Sequence, residues 1–306
     1  MAWLKLRLHR LRPEQIETLE DALLGLGAQA VTLEDAADEP VLEPGPGATP
    51  LWSSSEFTAL FPAATDIEAV VQALQAQLPL PAVDVLPDWS SDLLEDKDWV
   101  RAWMDHYHPI SFGERLWICP SWQAPPDPDA VNLMLDPGLA FGTGTHPTTA
   151  LCMRWLNDQA AAGGLQDSTV LDFGCGSGVL GIAALLLGAR RLVGVDIDPQ
   201  AVTSTRQNAD RNGIDPARYA VMLPDALPAD TEADVVLANI LAGPLIDLAP
   251  TLLRHLRPGG WIVLSGVIRS QVEEVCAAYD SELTEMTVSY QDDWARISGR
   301  RTDTPI

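Results

Sequence analysis

The hydrophobic pattern of the first 88 residues changes period several times. In residues 3–10, leucines alternate with basic side chains, as in a strand with one buried face. Residues 12–28 repeat apolar positions every three or four residues after Pro13, which predicts a helix. Similar patterns predict strands over 28–36, 51–61 and 81–88 and a helix over 66–78. The order β-α-β-β-α-β predicts a ferredoxin-like α+β domain over residues 1–88.

Residues 89–129 contain many aromatic side chains and are predicted to connect two domains. Trp99 and Trp103 lie four positions apart, so a helix there would bury both on one face. His106, His108 and Cys119 lack a fourth ligand and a metal-binding spacing, and we therefore expect no metal site.

From residue 130 to residue 306, apolar strand-like runs alternate with helical patterns. The strand-like runs cover 169–174, 191–198, 219–223, 233–241 and 261–267. This alternation predicts an α/β fold, Rossmann-like, with a parallel sheet covered by helices on both faces. Two last runs, 283–291 and 294–301, are expected to add an antiparallel edge.

The net charge of the chain limits the classes of molecule that it is expected to bind. The chain of 306 residues carries 19 basic and 43 acidic side chains, a net charge of −24. Such a field repels phosphate backbones, and we expect no direct binding of nucleic acid. Four scattered cysteines, no apolar run of membrane-spanning length and no secretory h-region in the first residues together favour a cytoplasmic protein.

The segment VLDFGCGSGVLG, residues 170–181, fits two glycine patterns at once. Asp172 with Gly174, Gly176 and Gly178 follows the acidic motif typical of S-adenosylmethionine sites, whereas Gly176 to Gly181 follows the Gly-x-Gly-x-x-Gly pattern of a dinucleotide turn. Asp196 ends the next predicted strand, 22 residues after Gly174, where a carboxylate can accept both ribose hydroxyls. The pair predicts an adenosine cofactor without deciding which one.

Three features favour S-adenosylmethionine. A carboxylate at Asp172 would repel a diphosphate and suits the ammonium of a methionine moiety. Asn239 ends the fourth strand, where its carbonyl oxygen is able to accept a hydrogen bond from a substrate amine. The loop 137–149, rich in glycine and hydroxyls, is placed to fold over a cofactor.

Five segments together resemble the ribosomal protein L11 methyltransferase family, PrmA. They are LDPGLAFGTGTHPTT, LDFGCGSG, GVDIDPQA, ANILAGPL and LSGV. The resemblance covers about residues 95–300, whereas the first 90 residues match only in length and element order. It implies a class I S-adenosylmethionine-dependent methyltransferase domain joined to a small domain that recognises the ribosomal protein.

The resemblance also implies roles for individual residues. It places the cofactor contacts at Thr149, Gly174, Asp196 and Asn239, and Gly176 of the same turn is expected to bind the cofactor as well. The implied reaction trimethylates lysine ε-amines and the N-terminal α-amine of large-subunit ribosomal protein L11.

The predicted mechanism assigns catalysis to Asn239, which would orient a neutral amine for in-line transfer, while Phe141 helps to line the channel. No side chain is identified as a general base; His146 is the single histidine inside the motifs. We expect a monomer. Alternatives are methylation of another basic protein or a small amine, a dinucleotide-dependent oxidoreductase, and a non-enzymatic binding module.

Overall fold

The computed structural model describes residues 2–37, 52–77, 88–94, 107–136 and 146–302. The chain divides into two compact units, Met1–His106 and Tyr107–Ile306. Among the helices of the described ranges, none is both long enough and apolar enough to cross a bilayer.

The first unit is a four-stranded antiparallel sheet with the order β2-β3-β1-β4 and two helices. Leu6 and Leu8 of the central strand are fully buried and pack with Leu19, Phe57 and Leu74, which accounts for the alternation in residues 3–10. The elements are β1 (Trp3–Leu11), α1 (Pro13–Gly25), β2 (Ala30–Asp35), β3 (Ser55–Pro62), α2 (Ile67–Gln77) and β4 (Trp89–Leu94).

The segment predicted to connect two domains differs from that prediction at both ends. β4 starts at Trp89 and pairs with β1, so the sheet of the first unit extends beyond residue 88. Its sequence, WSSDLL, has no apolar alternation because β4 is an exposed edge strand defined by main-chain pairing. The strand predicted over 81–88 lies outside the described residues apart from Asp88, and the predicted helix with Trp99 and Trp103 lies outside them entirely.

The other end of the predicted connector is part of the second unit. Here β5 (Ile110–Ser111) and β6 (Leu116–Cys119) form a small sheet with β7 (Val131–Met134), in the order β5-β6-β7. Leu116 and Ile118 are fully buried in the core of that unit. Residues 107–129 therefore fold with the larger domain.

The second unit is built on a seven-stranded sheet of order β10-β9-β8-β11-β12-β14-β13. Neighbouring pairs from β10 to β12 are parallel, and β14 and β13 add the predicted antiparallel edge. The strands are β8 (Thr169–Phe173), β9 (Arg191–Val195), β10 (Tyr219–Met222), β11 (Ala233–Asn239), β12 (Leu256–Ile268), β13 (Leu283–Gln291) and β14 (Trp294–Arg301).

Helices cover both faces of this sheet. The predicted Rossmann-like α/β fold is thus confirmed. One face packs against α3 (Pro147–Ala161), α4 (Val179–Leu186) and α5 (Pro199–Arg211), and the other against α6 (Ala242–Asp247), α7 (Ala249–His255) and α8 (Val272–Ala277).

The order of the strands determines where a ligand site lies. From β8 the chain proceeds outward to β9 and β10, and then returns to β11 on the other side of β8. Open α/β sheets bind ligands at such a reversal, beyond the carboxyl ends of the strands. The reversal lies between β8, which ends at Phe173, and β11, which ends at Asn239.

Candidate active site

The turn between β8 and α4 requires glycine at two positions for steric reasons. Gly174 has φ +79° and Gly178 has φ +78°, in the left-handed region that favours glycine. A Cβ on Gly174 would overlap Cγ2 of Ile240, and a Cβ on Gly178 would overlap the side chain of Thr205. The turn consequently lies close against both neighbours.

Gly176 and Asp196, predicted to share a site, are in direct contact. The Gly176 amide donates to Oδ2 of Asp196 over 2.8 Å, and the Asp198 amide donates to Oδ1 over 3.0 Å. Two backbone donors therefore fix the carboxylate at the end of β9, where it is half-buried. Carboxylate oxygens have further lone pairs, so this orientation still permits acceptance of ribose hydroxyls.

Asp172 lies beneath the turn, and its bonding partner differs from the one predicted from the sequence. Its carboxyl is 1% exposed, and Oδ2 accepts from the Gly181 amide in the first turn of α4 over 3.0 Å. Burial raises the pKa of Asp172 to about 7, and the nearby charge of Asp196 also raises it. The interpretation paired this carboxylate with a ligand ammonium, whereas in the structure it bonds to an amide at the helix N-terminus.

The chemistry of these groups fits S-adenosylmethionine better than a dinucleotide. The Asp196 carboxylate accepts a hydrogen bond from the turn, and its charge raises the pKa of the nearby Asp172. A diphosphate against this turn would face a negative field, whereas a sulfonium and an ammonium would be attracted. The remaining lone pairs of Asp196 would hold the ribose of that group, because the amides of Gly174, Cys175, Gly176 and Gly178 already donate within the protein.

Asn239 and Thr149 meet across the reversal in strand order. Asn239 is the last residue of β11, and its Nδ2 donates to Oγ1 of Thr149 over 3.4 Å. Thr149 lies in the first turn of α3 and is 2% exposed. Because the amide nitrogen faces Thr149, the amide oxygen points elsewhere and remains an acceptor. The half-buried side chain of Asn239 is thus hydrogen-bonded to the first turn of α3.

Ile240 joins this pair to the glycine turn, and the sequence analysis did not single it out. It fills the space above Gly174, and a Cβ on Gly266 of β12 would overlap its carbonyl oxygen. The ends of β8, β11 and β12 therefore meet around Ile240. The structure thus brings four of the five predicted residues together as two contacting pairs, Gly176 with Asp196 and Asn239 with Thr149, while Gly174 lies against Ile240.

His146 begins α3 and serves as its cap. Its Nδ1 lies 2.8 Å from Oγ1 of Thr148 and accepts from the Thr148 amide over 3.3 Å. The ring packs edge-on against Trp294, with centroids 4.6 Å apart. Burial lowers the pKa of His146, which favours the neutral ring that a cap acceptor requires. A polar residue directly before proline is a sequence signal for this cap, but nothing in the sequence indicated that Trp294 would contact His146.

The remaining candidate residues do not join these contacts. Phe141 and most of the loop 137–149 lie outside the described residues, as does His106. Cys119 is buried in β6, where its thiol lies 3.6 Å from Oδ1 of Asn132. Within the ranges that the structure describes, no group of His, Cys, Asp or Glu side chains is arranged to hold a metal ion.

Comparison with known proteins identifies the family. The family model "Ribosomal protein L11 methyltransferase (PrmA)" matches residues 2–302. Curated proteins named ribosomal protein L11 methyltransferase are 56% identical over 301 residues in Pseudomonas aeruginosa (strain LESB58; 98% of this chain, 99% of that protein) and 52% identical over 303 residues in Marinobacter nauticus (99% of this chain, 100% of that protein).

A solved structure agrees with this result. The crystal structure of ribosomal protein L11 methylase from Lactobacillus delbrueckii subsp. bulgaricus is 33% identical, with a TM-score of 0.56, and the match covers 64% of this chain and all of that one. The family match extends through the first 90 residues, where motifs gave no resemblance. The chain therefore belongs to the ribosomal protein L11 methyltransferase family.

Proposed function

We propose that this protein transfers methyl groups from S-adenosylmethionine to amines of ribosomal protein L11. The observation that carries the proposal is the match of nearly the whole chain to one methyltransferase family. The contacts around the reversal in strand order support it, because each predicted residue lies at the carboxyl end of the sheet. S-adenosylmethionine supplies an activated methyl group on its sulfonium. The protein therefore needs only to bind the cofactor, to align the substrate amine with the methyl group and to remove water from that amine.

Cofactor binding is assigned to the carboxylate of Asp196 and to the glycine backbone of the turn. Asp196 would accept the ribose hydroxyls, and the backbone at Gly174 and Gly176 would approach the cofactor closely. Thr149, hydrogen-bonded to Asn239, would line the opposite side of the cofactor site. Calorimetry with S-adenosylmethionine and with NADPH separates this assignment from the oxidoreductase alternative, since only the first ligand should bind.

Catalysis is assigned to Asn239. Its amide oxygen is the acceptor left after Nδ2 bonds to Thr149, so it can orient an incoming amine by accepting one N–H. Free lysine has a pKa of about 10.4, and loss of hydration near the sheet edge lowers it toward the neutral form that reacts. Loss of the proton to water then suffices, and no side chain is assigned as a base.

The proposed products are trimethylated lysine ε-amines and a trimethylated N-terminal α-amine of L11. We assign substrate recognition to the first unit. Residues 1–90 carry four basic and fourteen acidic side chains, a net charge of −10, which attracts a lysine-bearing surface. A cavity of about 510 Å³ in that unit has a mixed lining of His9, Arg10, Glu34, Asp35, Ala36 and Glu56, so the net charge of the segment rather than this cavity supports the assignment.

Mass spectrometry of purified L11 after incubation with the enzyme and methyl-labelled S-adenosylmethionine tests the proposal. Labelled methyl groups should appear on lysines and on the N-terminus, and Asn239→Ala should abolish most of the label. An unlabelled L11, with label instead on another basic protein or a small amine, would contradict the assignment of the substrate.

We further propose that the substrate is free L11 in the cytoplasm and that the enzyme is a monomer. The net charge of −24 opposes approach to ribosomal RNA. Free L11 should therefore be methylated faster than L11 in assembled large subunits, and the difference should shrink as salt is raised. Equal rates at low salt would contradict this preference.

A further inference from the structure

An aromatic contact fixes the start of α3. His146 precedes Pro147, the first residue of the helix, and its ring meets Trp294 at an interplanar angle of 72° and a centroid distance of 4.6 Å. Trp294 is the first residue of β14, the antiparallel strand beside β12. The first turn of α3 thus contacts the sheet at an antiparallel strand, β14, rather than at one of the parallel strands.

The same turn carries one of the predicted site residues. His146 caps the turn through Nδ1 and Thr148, and the next residue, Thr149, accepts from the amide of Asn239. Only three positions separate the residue held by Trp294 from the residue that holds Asn239. A shift of the cap would therefore move the Thr149 hydroxyl.

We propose that Trp294 is a positioning residue for methyl transfer, acting through His146 and the first turn of α3 to hold Thr149 against Asn239. The role of Asn239 in this chain of contacts depends on the function proposed above. The contacts themselves do not, because they are properties of the folded protein.

Packing of α3 as a whole does not depend on Trp294. Two turns further along, Trp155 packs edge-on against Trp261 of β12, with centroids 5.9 Å apart. Nη1 of the buried Arg296 also donates to the Leu151 carbonyl over 3.5 Å. These contacts hold the body of the helix against the sheet. Trp294 adds a constraint at the helix start, where the site residues lie.

The effect expected of Trp294 is kinetic. A misplacement of about 1 Å can cost about 10²-fold in rate when alignment carries catalysis. Part of that loss is expected here, since Thr149 and Asn239 remain present, and Trp294→Ala should lower kcat for L11 methylation about tenfold. The KM for S-adenosylmethionine should change less than kcat does, because Thr149 is one assigned cofactor contact among several and Asp196 is held by backbone amides outside α3.

Matched variants separate positioning from stability. Trp294→Phe keeps an aromatic ring against His146 and should restore most of kcat. Trp261→Ala removes the corresponding partner of Trp155; it should lower the melting temperature at least as much as Trp294→Ala and leave kcat near the wild-type value. His146→Asn keeps a cap acceptor but removes the ring, and combining it with Trp294→Ala should lower kcat no further than either change alone.

A second measurement does not require turnover. The side-chain amide resonance of Asn239, assigned by NMR, should shift in Trp294→Ala and keep its wild-type position in Trp294→Phe and Trp261→Ala. A wild-type kcat and an unshifted amide in Trp294→Ala would overturn the inference, as would equal losses of kcat in Trp294→Ala and Trp261→Ala. Absence of L11 methylation by the wild-type protein would instead overturn the proposed function, and the amide shift would still decide the inference.

Discussion

The side-chain nitrogen of Asn239 donates to the hydroxyl oxygen of Thr149 over 3.4 Å, joining the end of β11 to the first turn of α3. In this arrangement the Thr149 hydroxyl acts as acceptor, and the amide oxygen of Asn239 is the end left to face the crevice. If it were lost, the amide would be free to rotate and to present nitrogen where the proposed mechanism needs oxygen. In the proposed function, Thr149 would then influence the orientation of the amine as well as contact the cofactor.

Thr149→Val removes the acceptor and keeps the shape of a buried side chain. A neutral hydrogen bond contributes about 1 kcal/mol, so we expect kcat to fall about fivefold, with single-turnover kinetics as the measurement. Thr149→Ser keeps the hydroxyl and should retain nearly full activity. A valine variant as active as the serine variant would mean that the bond does not orient Asn239.

Asp196→Asn tests the cofactor assignment. Both carboxylate oxygens accept from backbone amides, of Gly176 and of Asp198, and a carboxamide can accept on only one side. The new NH₂ would face an N–H donor, displace the turn and weaken the ribose contact. We expect the Kd for S-adenosylmethionine, measured by calorimetry, to rise at least about tenfold, which corresponds to about 1.4 kcal/mol.

Asp198→Asn is the matched control for that change. Asp198 caps α5 by accepting from the Gln200 amide over 2.8 Å, and its side chain is exposed. Asparagine caps helices as well as aspartate does, so neither stability nor cofactor affinity should change appreciably. Equal losses of affinity in the two variants would show that general disturbance of the α5 start, rather than the Asp196 carboxylate, governs binding.

The parts of the site that the sequence predicts are those in which residue type and strand position coincide. Gly174, Asp196 and Asn239 each follow an apolar run, and parallel strands bring the ends of such runs to one edge. Trp294 was not predicted because it lies at the start of an antiparallel edge strand, and a tertiary contact rather than a periodic pattern brings it to His146. β4 was missed for a related reason: its polar sequence pairs through the main chain.

Asp172 provides a prediction about pH. Burial raises the pKa of this carboxyl to about 7 in the folded protein, above its ordinary value of 3.8. The folded state therefore binds the proton more tightly than the unfolded state. The stability that this proton contributes is fully present below about pH 4 and is lost as the pH rises through about 7.

Asp172→Asn removes this dependence, since the carboxamide stays neutral and its oxygen can still accept from Gly181. We expect the variant to gain melting temperature relative to the wild type progressively between about pH 4 and pH 7, measured by thermal unfolding at fixed ionic strength. The comparison at each pH cancels the contributions of all other titrating groups. A difference between the two proteins that stays constant over that interval would contradict a raised pKa.

Gly174→Ala places a methyl group where the structure has no space. The residue would keep a φ of +79°, which costs an L-residue about 1 kcal/mol, and its Cβ would also overlap Ile240. Gly213→Ala is the control, because Gly213 has φ +64° with nothing within 4 Å of the added carbon. Gly174→Ala should thus lower the free energy of unfolding by at least about 1 kcal/mol more than Gly213→Ala, and it alone should weaken cofactor binding.

The overlap can be isolated by changing its other partner. Ile240→Ala removes the Cγ2 atom that an alanine at position 174 would meet. In a double-mutant cycle measured by denaturant unfolding, the Gly174→Ala/Ile240→Ala protein should lose about 1 kcal/mol less than the sum of the two single losses, since only the backbone cost remains at position 174. Additive losses would mean that the backbone conformation alone requires glycine there, and that Ile240 does not press on the turn proposed to bind the cofactor.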